Sequence, residues 1–229
     1  MPTPKSIPKT QQLVEVVAKL LSPTLVPLGF EYFPKLNHFR RTGPVFSDYI
    51  TLSTFRDVSG KFQISVICGV RFEEVEKTLN VLAPPLKPDA HSKTIVQISA
   101  NVGPELAAVH PVSGKWWVDE KFDLEEITEQ MPVFVKGYIL PWLEAHHDIN
   151  KVHGALMLWP GDATHSTPSA LQRAVVIDLL SKDGARVVKS LESIEARVDL
   201  DAEVKSKFQS FVQKLKAANP EMFAAAQAN

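Results

Sequence analysis

The stretch DLEEITEQMPVFVKGYILPWLEAHHD, residues 123–148, decides how the chain is read. Leu124, Ile127, Met131, Phe134, Val135, Tyr138, Ile139, Trp142 and Leu143 recur at steps of three and four, the spacing that gathers apolar side chains on one face of a helix. A helix so apolar along one side needs a sheet or other helices against it. Asp123 stands where an N-cap would, with Glu126 three residues on, the pattern of a capping box. Pro132 and Pro141 each lack an N–H and press a ring against the preceding turn. The spacing predicts a bend at Pro141, with room provided by Gly137 four residues earlier, and leaves open a second helix beginning at Pro132.

Upstream, the period changes from helix to strand. In Lys61–Phe72 the residues Phe62, Ile64, Val66, Cys68, Val70 and Phe72 alternate with Gln63, Ser65, Ile67, Gly69 and Arg71, giving one apolar and one mixed face. Tyr49–Arg56 precedes this strand across Asp57-Val58-Ser59-Gly60, whose glycine admits a positive φ, so the pair reads as a hairpin. Phe30–Arg40 reads as one first strand, confined to an edge or bulge by Pro34. Thr10–Leu28 reads as a helix interrupted at Pro23 and closed by Gly29. Asn80–Ser92, with three prolines, reads as a loop and Thr94–Val102 as a strand. A turn at Ser113–Lys115 then enters Trp116-Trp117-Val118, a short last strand. The expected fold is α+β: an antiparallel sheet of four to five strands, with N-terminal and central helices packed on one face, followed by a helical C-terminal segment.

Beyond Ile149 the pattern is helical: Asn150–Leu158, then Leu171–Ser181, Ala185–Val198 and Ala202–Ala217. Thr167-Pro168 form a cap and first-turn pair. The domain plan is an α+β domain over 1–158, a linker over 159–169, a helical extension over 170–218 and a frayed tail over 219–229.

Composition narrows the function classes. Lys+Arg 25 against Asp+Glu 26 leaves a net charge of -1, so overall charge recruits neither phosphate backbones nor anionic lipid. Lys205, Lys207, Lys214 and Lys216 give the last helix a basic side, but Asp201 and Glu203 offset it and no aromatic platform accompanies it, which argues against nucleic acid. Cys68, the single cysteine, has no intrachain partner and lies on the apolar phase of its strand, as a buried thiol in a reducing compartment would. The N-terminal MPTPKSIPKTQQ lacks the apolar core of a signal peptide, and no run reaches the ~18 apolar residues of a membrane span. A cytoplasmic protein without membrane attachment is expected.

Leu28-Gly29-Phe30 after a helix, Phe39-Arg40, the alternating hairpin, the tryptophan strand and Ile139-Leu140-Pro141-Trp142-Leu143-Glu144 closing a helix together resemble a bacterial domain-of-unknown-function family, number four-three-zero-four. The resemblance runs over roughly Lys9–Met157 and is carried by dispersed positions. The chain departs from the family pattern in the proline-rich 80–92 segment and in its C-terminal helices. The resemblance implies a fold and a bacterial setting; the family has no settled activity, so no catalytic residues carry over.

Reactive groups are sparse. His146, His147 and His153, with Asp148, are the candidate metal ligands. Adjacent helical histidines point about 100° apart, however, and no His-Glu-x-x-His or cysteine pair completes a site, so no metal and no cofactor are expected. There is no Gly-x-Ser-x-Gly elbow. The Gly-Lys pairs at 60–61 and 114–115 have Phe55 and Val109 where a phosphate loop needs its first glycine. Trp116 and Trp117, adjacent in a strand, leave on opposite faces, as do Arg40 and Arg41, and Tyr49 and Phe55 lie on the opposite phase from Ile50 and Leu52. Arg40, Arg41, Tyr49, Trp116 and Trp117 are therefore the candidate partner-binding residues, because tryptophan, tyrosine and arginine concentrate at binding hot spots. The expected function is a non-enzymatic protein-binding module, immunity-like or defence-associated. An enzyme with an unrecognised histidine/carboxylate site and a nucleic-acid-associated protein are the alternatives.

Overall fold

A computed structural model of the protein describes residues 10–56, 62–83, 115–118, 124–158 and 167–227. The chain divides into two compact units, Met1–Arg71 with Val96–Ala145 and Phe72–Ile95 with His146–Asn229.

The first unit is α+β, as the patterning predicts. Helix α1, Thr10–Leu25, buries Leu13, Val14, Val17, Ala18, Leu21 and Leu25 and passes through Pro23. A 3-10 turn at Val26–Leu28 ends at Gly29, whose φ of 85° lets its N–H close back on the Val26 carbonyl. The sheet has five strands in sequential order: β1 Glu31–Phe33, β2 His38–Thr42, β3 Phe46–Arg56, β4 Phe62–Phe72 and β5 Lys115–Val118. β1 with β2, β2 with β3, and β4 with β5 are antiparallel.

Phe30–Arg40 is two strands rather than one. Pro34 opens a 3-10 turn, where its missing N–H costs nothing, and Asn37 at φ 52° reverses the chain. The turn at 57–60, the strand expected at Thr94–Val102 and the Ser113–Gly114 turn lie outside the described residues. The expected loop begins later than Asn80, because helix α2, Glu73–Leu82, runs straight on from β4 with Glu73, Glu74 and Glu76 in its first turn.

Residues 125–145 are continuously helical, as α3 Glu125–Phe134, a π-helical turn Val135–Ile139 and α4 Leu140–Ala145, whereas residues 146–148, expected in the same helix, form a turn that leads into the next one. Ile127, Met131, Phe134, Val135, Ile139 and Leu143 are buried, which confirms the stripe. Leu124 occupies the cap position, and the capping box expected at Asp123 lies outside the described residues. Two local details concern the prolines. Pro132 sits inside α3 and opens no second helix. The wide turn lies just ahead of Pro141, whose ring and absent N–H disrupt the regular ladder. Nothing lies within 4 Å of a Cβ built on Gly137, so the disruption does not depend on that missing side chain.

In this unit α1 packs on β1, β3 and α3. The register places Tyr32, Phe39 and Ile50 in one cross-strand row. Phe39 and Ile50 are fully buried, as are Leu52 and Ile64. The alternation read in β4 is seen as burial, with Phe62, Ile64, Val66, Cys68, Val70 and Phe72 inside.

The second unit contains α2, α5 Ile149–Met157, α6 Thr167–Leu180, α7 Gly184–Glu195, α8 Ala202–Ala218 and α9 Pro220–Gln227. α6 is its hub, packed against α2, α5, α7 and α8. Asp148, Asp183 and Asp201 cap α5, α7 and α8, accepting from the amides of Asn150, Arg186 and Val204 at 2.9, 3.1 and 2.7 Å. α5 thus packs with the helical segment, although the sequence reading places it in the α+β part. The expected frayed tail holds a helix, α9, which packs on α7 and α8. No helix among the described residues is long and apolar enough to cross a membrane.

Candidate functional site

Strand register divides the candidate residues between two faces. Arg41 opposes Asp48, in phase with Phe39 and Ile50, and so belongs to the core side. Its Nε donates to Asp48 Oδ2 at 2.8 Å, its Nη2 donates to Glu144 Oε1 of α4 at 2.7 Å, and its guanidinium lies 4.9 Å from the Phe30 ring centre. Asp48 is fully buried, so Arg41 compensates a buried carboxylate while tying β2 to α4. Trp116 also enters the core. It is 3 % exposed, its ring meets Phe134 edge-on at 5.6 Å, and its Nε1 donates to Gln130 Oε1 at 3.3 Å. Trp117 opposes Gln63 in the ladder, and its side chain lies outside the described residues.

On the opposite face the register sets Glu31 beside Arg40 beside Tyr49, and Phe33 beside His38 beside Thr51. Four of these side chains form a ladder. The His38 ring stands 5.4 Å from Phe33 and 5.3 Å, near-perpendicular, from Tyr49, and the Arg40 guanidinium lies over the Tyr49 ring at 5.7 Å. The inner members, His38 and Tyr49, are 4 % and 6 % exposed; the outer ones, Phe33 and Arg40, are half-buried. Arg40 Nε has no hydrogen-bond partner among the described residues. Burial, and then the Arg40 charge, push the His38 imidazole below its ordinary range, so it is neutral at neutral pH. Farther along β3 on the same phase come half-buried Thr51, exposed Ser53 and Phe55, which is 60 % exposed.

Of the five candidates, Arg40 and Tyr49 therefore come together, Arg41 and Trp116 are used by the core, and Trp117 is not described. Phe55, which the residue order already sets on the phase of Tyr49 although it stands outside the five candidates, is exposed on this face.

The histidines after α4 do not converge on a metal. Among the described residues no group of three or more His, Cys, Asp or Glu side chains could hold one, and Asp148 is spent as a helix cap. His146 and His147 are half-buried, each with interactions of its own.

His153 instead meets a carboxylate that periodicity had absorbed into an apolar stripe. Asp178, in the run Ala174-Val175-Val176-Ile177-Asp178-Leu179-Leu180 of α6, is completely buried. His153 Nε2 lies 2.9 Å from its Oδ2, Ser190 Oγ donates to that same oxygen at 2.5 Å, and Arg186 Nε lies 2.5 Å from Oδ1. Arg186 also donates to Asn150 Oδ1 at 3.2 Å. Burial pushes the Asp178 carboxyl up, but hydrogen bonds from His153 and Ser190 and the charges of His153 and Arg186 outweigh it and hold the group below the usual carboxylate range. The order of bonds matters chemically. The serine donates to the carboxylate rather than to the imidazole, so His153 does not act as the base for Ser190, as a nucleophilic relay requires. The arrangement joins α5, α6 and α7 around one charge.

A second buried pair joins α2 to α6 in the same unit. Arg173 grips Glu76 through Nε and Nη2, at 2.8 and 3.2 Å from its two carboxylate oxygens. Cys68 is buried, and burial pushes its thiol far up, so it is not poised as a nucleophile.

Compared with known proteins, the chain matches no family model, no curated protein and no solved structure.

Proposed function

We propose that the protein is a non-enzymatic protein-binding module that meets its partner through the sheet face bearing Arg40 and Phe55. The observation that carries this is Phe55, a phenylalanine 60 % exposed on a regular strand, in phase with Tyr49 and the Arg40 ladder and bordered by Ser53 and Thr51. An exposed aromatic and an arginine whose stem is held by stacking are the side chains that carry binding energy, and the small polar residues between them suit a contact surface. Arg40 opposes Tyr49, and Phe55 lies six residues farther along β3, roughly 20 Å at strand rise, which fits within an ordinary contact patch of about 800 Å² per partner. The buried ladder beneath Arg40 holds its guanidinium in place before binding, which lowers the ordering cost of contact. The narrower description, an immunity-like or defence-associated protein, rests on the missing catalytic motifs together with the aromatic-arginine set and predicts a stoichiometric one-to-one complex.

Capture from lysate of the source cells tests the reading. The wild type and Val81→Ser, an exposed substitution on α2, retain a stoichiometric partner, whereas Arg40→Ala and Phe55→Ser lose it with circular dichroism unchanged. A partner indifferent to both substitutions, or no stoichiometric partner at all, overturns the proposal.

One observation favours a second reading, acid–base chemistry at His153. The imidazole is 17 % exposed and rests on a buried carboxylate, the support a general base uses. An activity found in a substrate screen and abolished by His153→Gln would establish it; an activity unchanged by that substitution would remove it.

A further inference from the structure

We propose that His38 makes this sheet face acid-sensitive: protonating its imidazole disassembles the Phe33–His38–Tyr49–Arg40 ladder and releases whatever protein the face holds. The second half of this statement rests on the binding reading above; the first half does not.

His38 is 4 % exposed and is held between two rings at 5.4 and 5.3 Å, on the strand that β1 and β3 flank. Two residues along the same face is Arg40, a guanidinium cation. Adding a proton to His38 therefore places a second cation in a site already closed to water and next to a guanidinium. Two effects favour the imidazolium. The rings of Phe33 and Tyr49, tilted at 49° and 81° to the imidazole, attract a cation, though weakly beside the cost of closing it off from water. Glu31 supplies a negative charge on this face, but it is exposed and opposes Arg40 rather than His38. Arg41 and Asp48 lie on the core face and neutralise each other. Desolvation and Arg40 prevail, consistent with the downward displacement of the imidazole's titration.

The sign follows directly. The unfolded or opened segment, with an ordinary histidine near 6.5, takes up its proton before the closed ladder does. The ladder is at full strength above about pH 6.5 and weakens as the pH falls below it. Once His38 turns out to water, Tyr49 loses the ring that covers one side and Arg40 loses the platform beneath it.

Two measurements test this on the intact chain. In imidazole Cε1–H correlation spectra from pH 8 to 4.5, the resonance missing from His38→Phe should titrate below the range of an ordinary histidine. The Tyr49 ring resonances should leave their packed positions over the same interval. Arg40→Gln, which removes the neighbouring cation and keeps His38, should move that midpoint upward. An ordinary His38 midpoint, or Tyr49 resonances that do not move with it, overturns the ladder opening. In the second measurement, retention of the captured partner below the His38 midpoint, taken relative to that protein's own retention at pH 7.5, should fall for the wild type and stay constant for His38→Phe, which keeps a ring without a proton to gain. The same ratio for both overturns the release. Failure of every form to capture a partner at pH 7.5 counts against the binding reading, and the spectra then decide the ladder alone.

Discussion

Replacing Arg173 by Met leaves Glu76 buried without the cation that holds it, and the size of the effect follows from the geometry. The two carboxylate–guanidinium contacts are 2.8 and 3.2 Å, Glu76 is fully buried, and the Arg173 side chain is 8 % exposed. At a separation of ~3 Å and an effective dielectric of ~20 the attraction is about 5–6 kcal/mol, most of it spent on removing both groups from water. Breaking the pair removes the attraction and leaves the desolvation of Glu76, so Arg173→Met should cost about 3–5 kcal/mol. In a chain of this length that corresponds to a fall of roughly 10 °C in Tm for the unit containing α2 and α6. Glu76→Leu should cost nearly as much, whereas Glu76→Leu with Arg173→Met should recover to near the wild type or above it, because apolar residues fill the space without a charge to desolvate. Urea unfolding followed by circular dichroism over this double-mutant cycle measures all four states. A loss below about 1 kcal/mol for Arg173→Met, or a double variant as unstable as the sum of the singles, would refute the reasoning.

Further outcomes follow from other sites. The Asp178 carboxyl is depressed in the fold, so its contribution to stability is complete above the unfolded carboxylate value of about 4 and is lost as the pH falls through its lower folded value. Urea midpoints between pH 6 and 2.5 should show that acid limb in the wild type and a shallower one in Asp178→Asn; equal slopes would contradict the assigned bonds. Two glycines should respond in opposite directions. Gly137→Ala, with open space at the Cβ, should stabilise by about 0.5–1 kcal/mol, whereas Gly29→Ala, at φ 85° but free of any clash, should cost roughly 1–2 kcal/mol from backbone strain alone. Denaturant titration of both variants checks the pair, and equal signs would be wrong for one of them.

Much of the fold was legible because its elements bury one face each. The period-two burial of β4 and the three-four stripe of α3 and α4 are visible in the residue order, and Gly29, Asp183 and Asp201 mark ends where the structure has them. Local reversals were less visible. Asn37 in a left-handed conformation splits one apparent strand into two, and nothing in the alternation of Phe30–Arg40 distinguishes a turn from a bulge. Pro132 shows the limit of a residue rule, since packing keeps it inside a helix that its chemistry disfavours.

For the candidate site, strand phase separates Arg40 from Arg41, but phase alone does not say which face is buried. Trp116 and Arg41 went to the core, and Phe55 stands exposed on the opposite face. The pairing of His153 with Asp178 and of Glu76 with Arg173 joins positions 25 and 97 residues apart, a distance over which periodicity carries no information. The available hint was a lone aspartate inside an apolar run.

The account stands most directly on the affinity of the isolated partner for Phe55→Ser, measured beside the wild type and Val81→Ser at pH 7.5 by calorimetry. An aromatic anchor contributing about 2 kcal/mol predicts a Kd raised roughly thirtyfold for Phe55→Ser and unchanged for Val81→Ser. Equal Kd values for all three proteins would contradict the claim that this sheet face is where the partner binds.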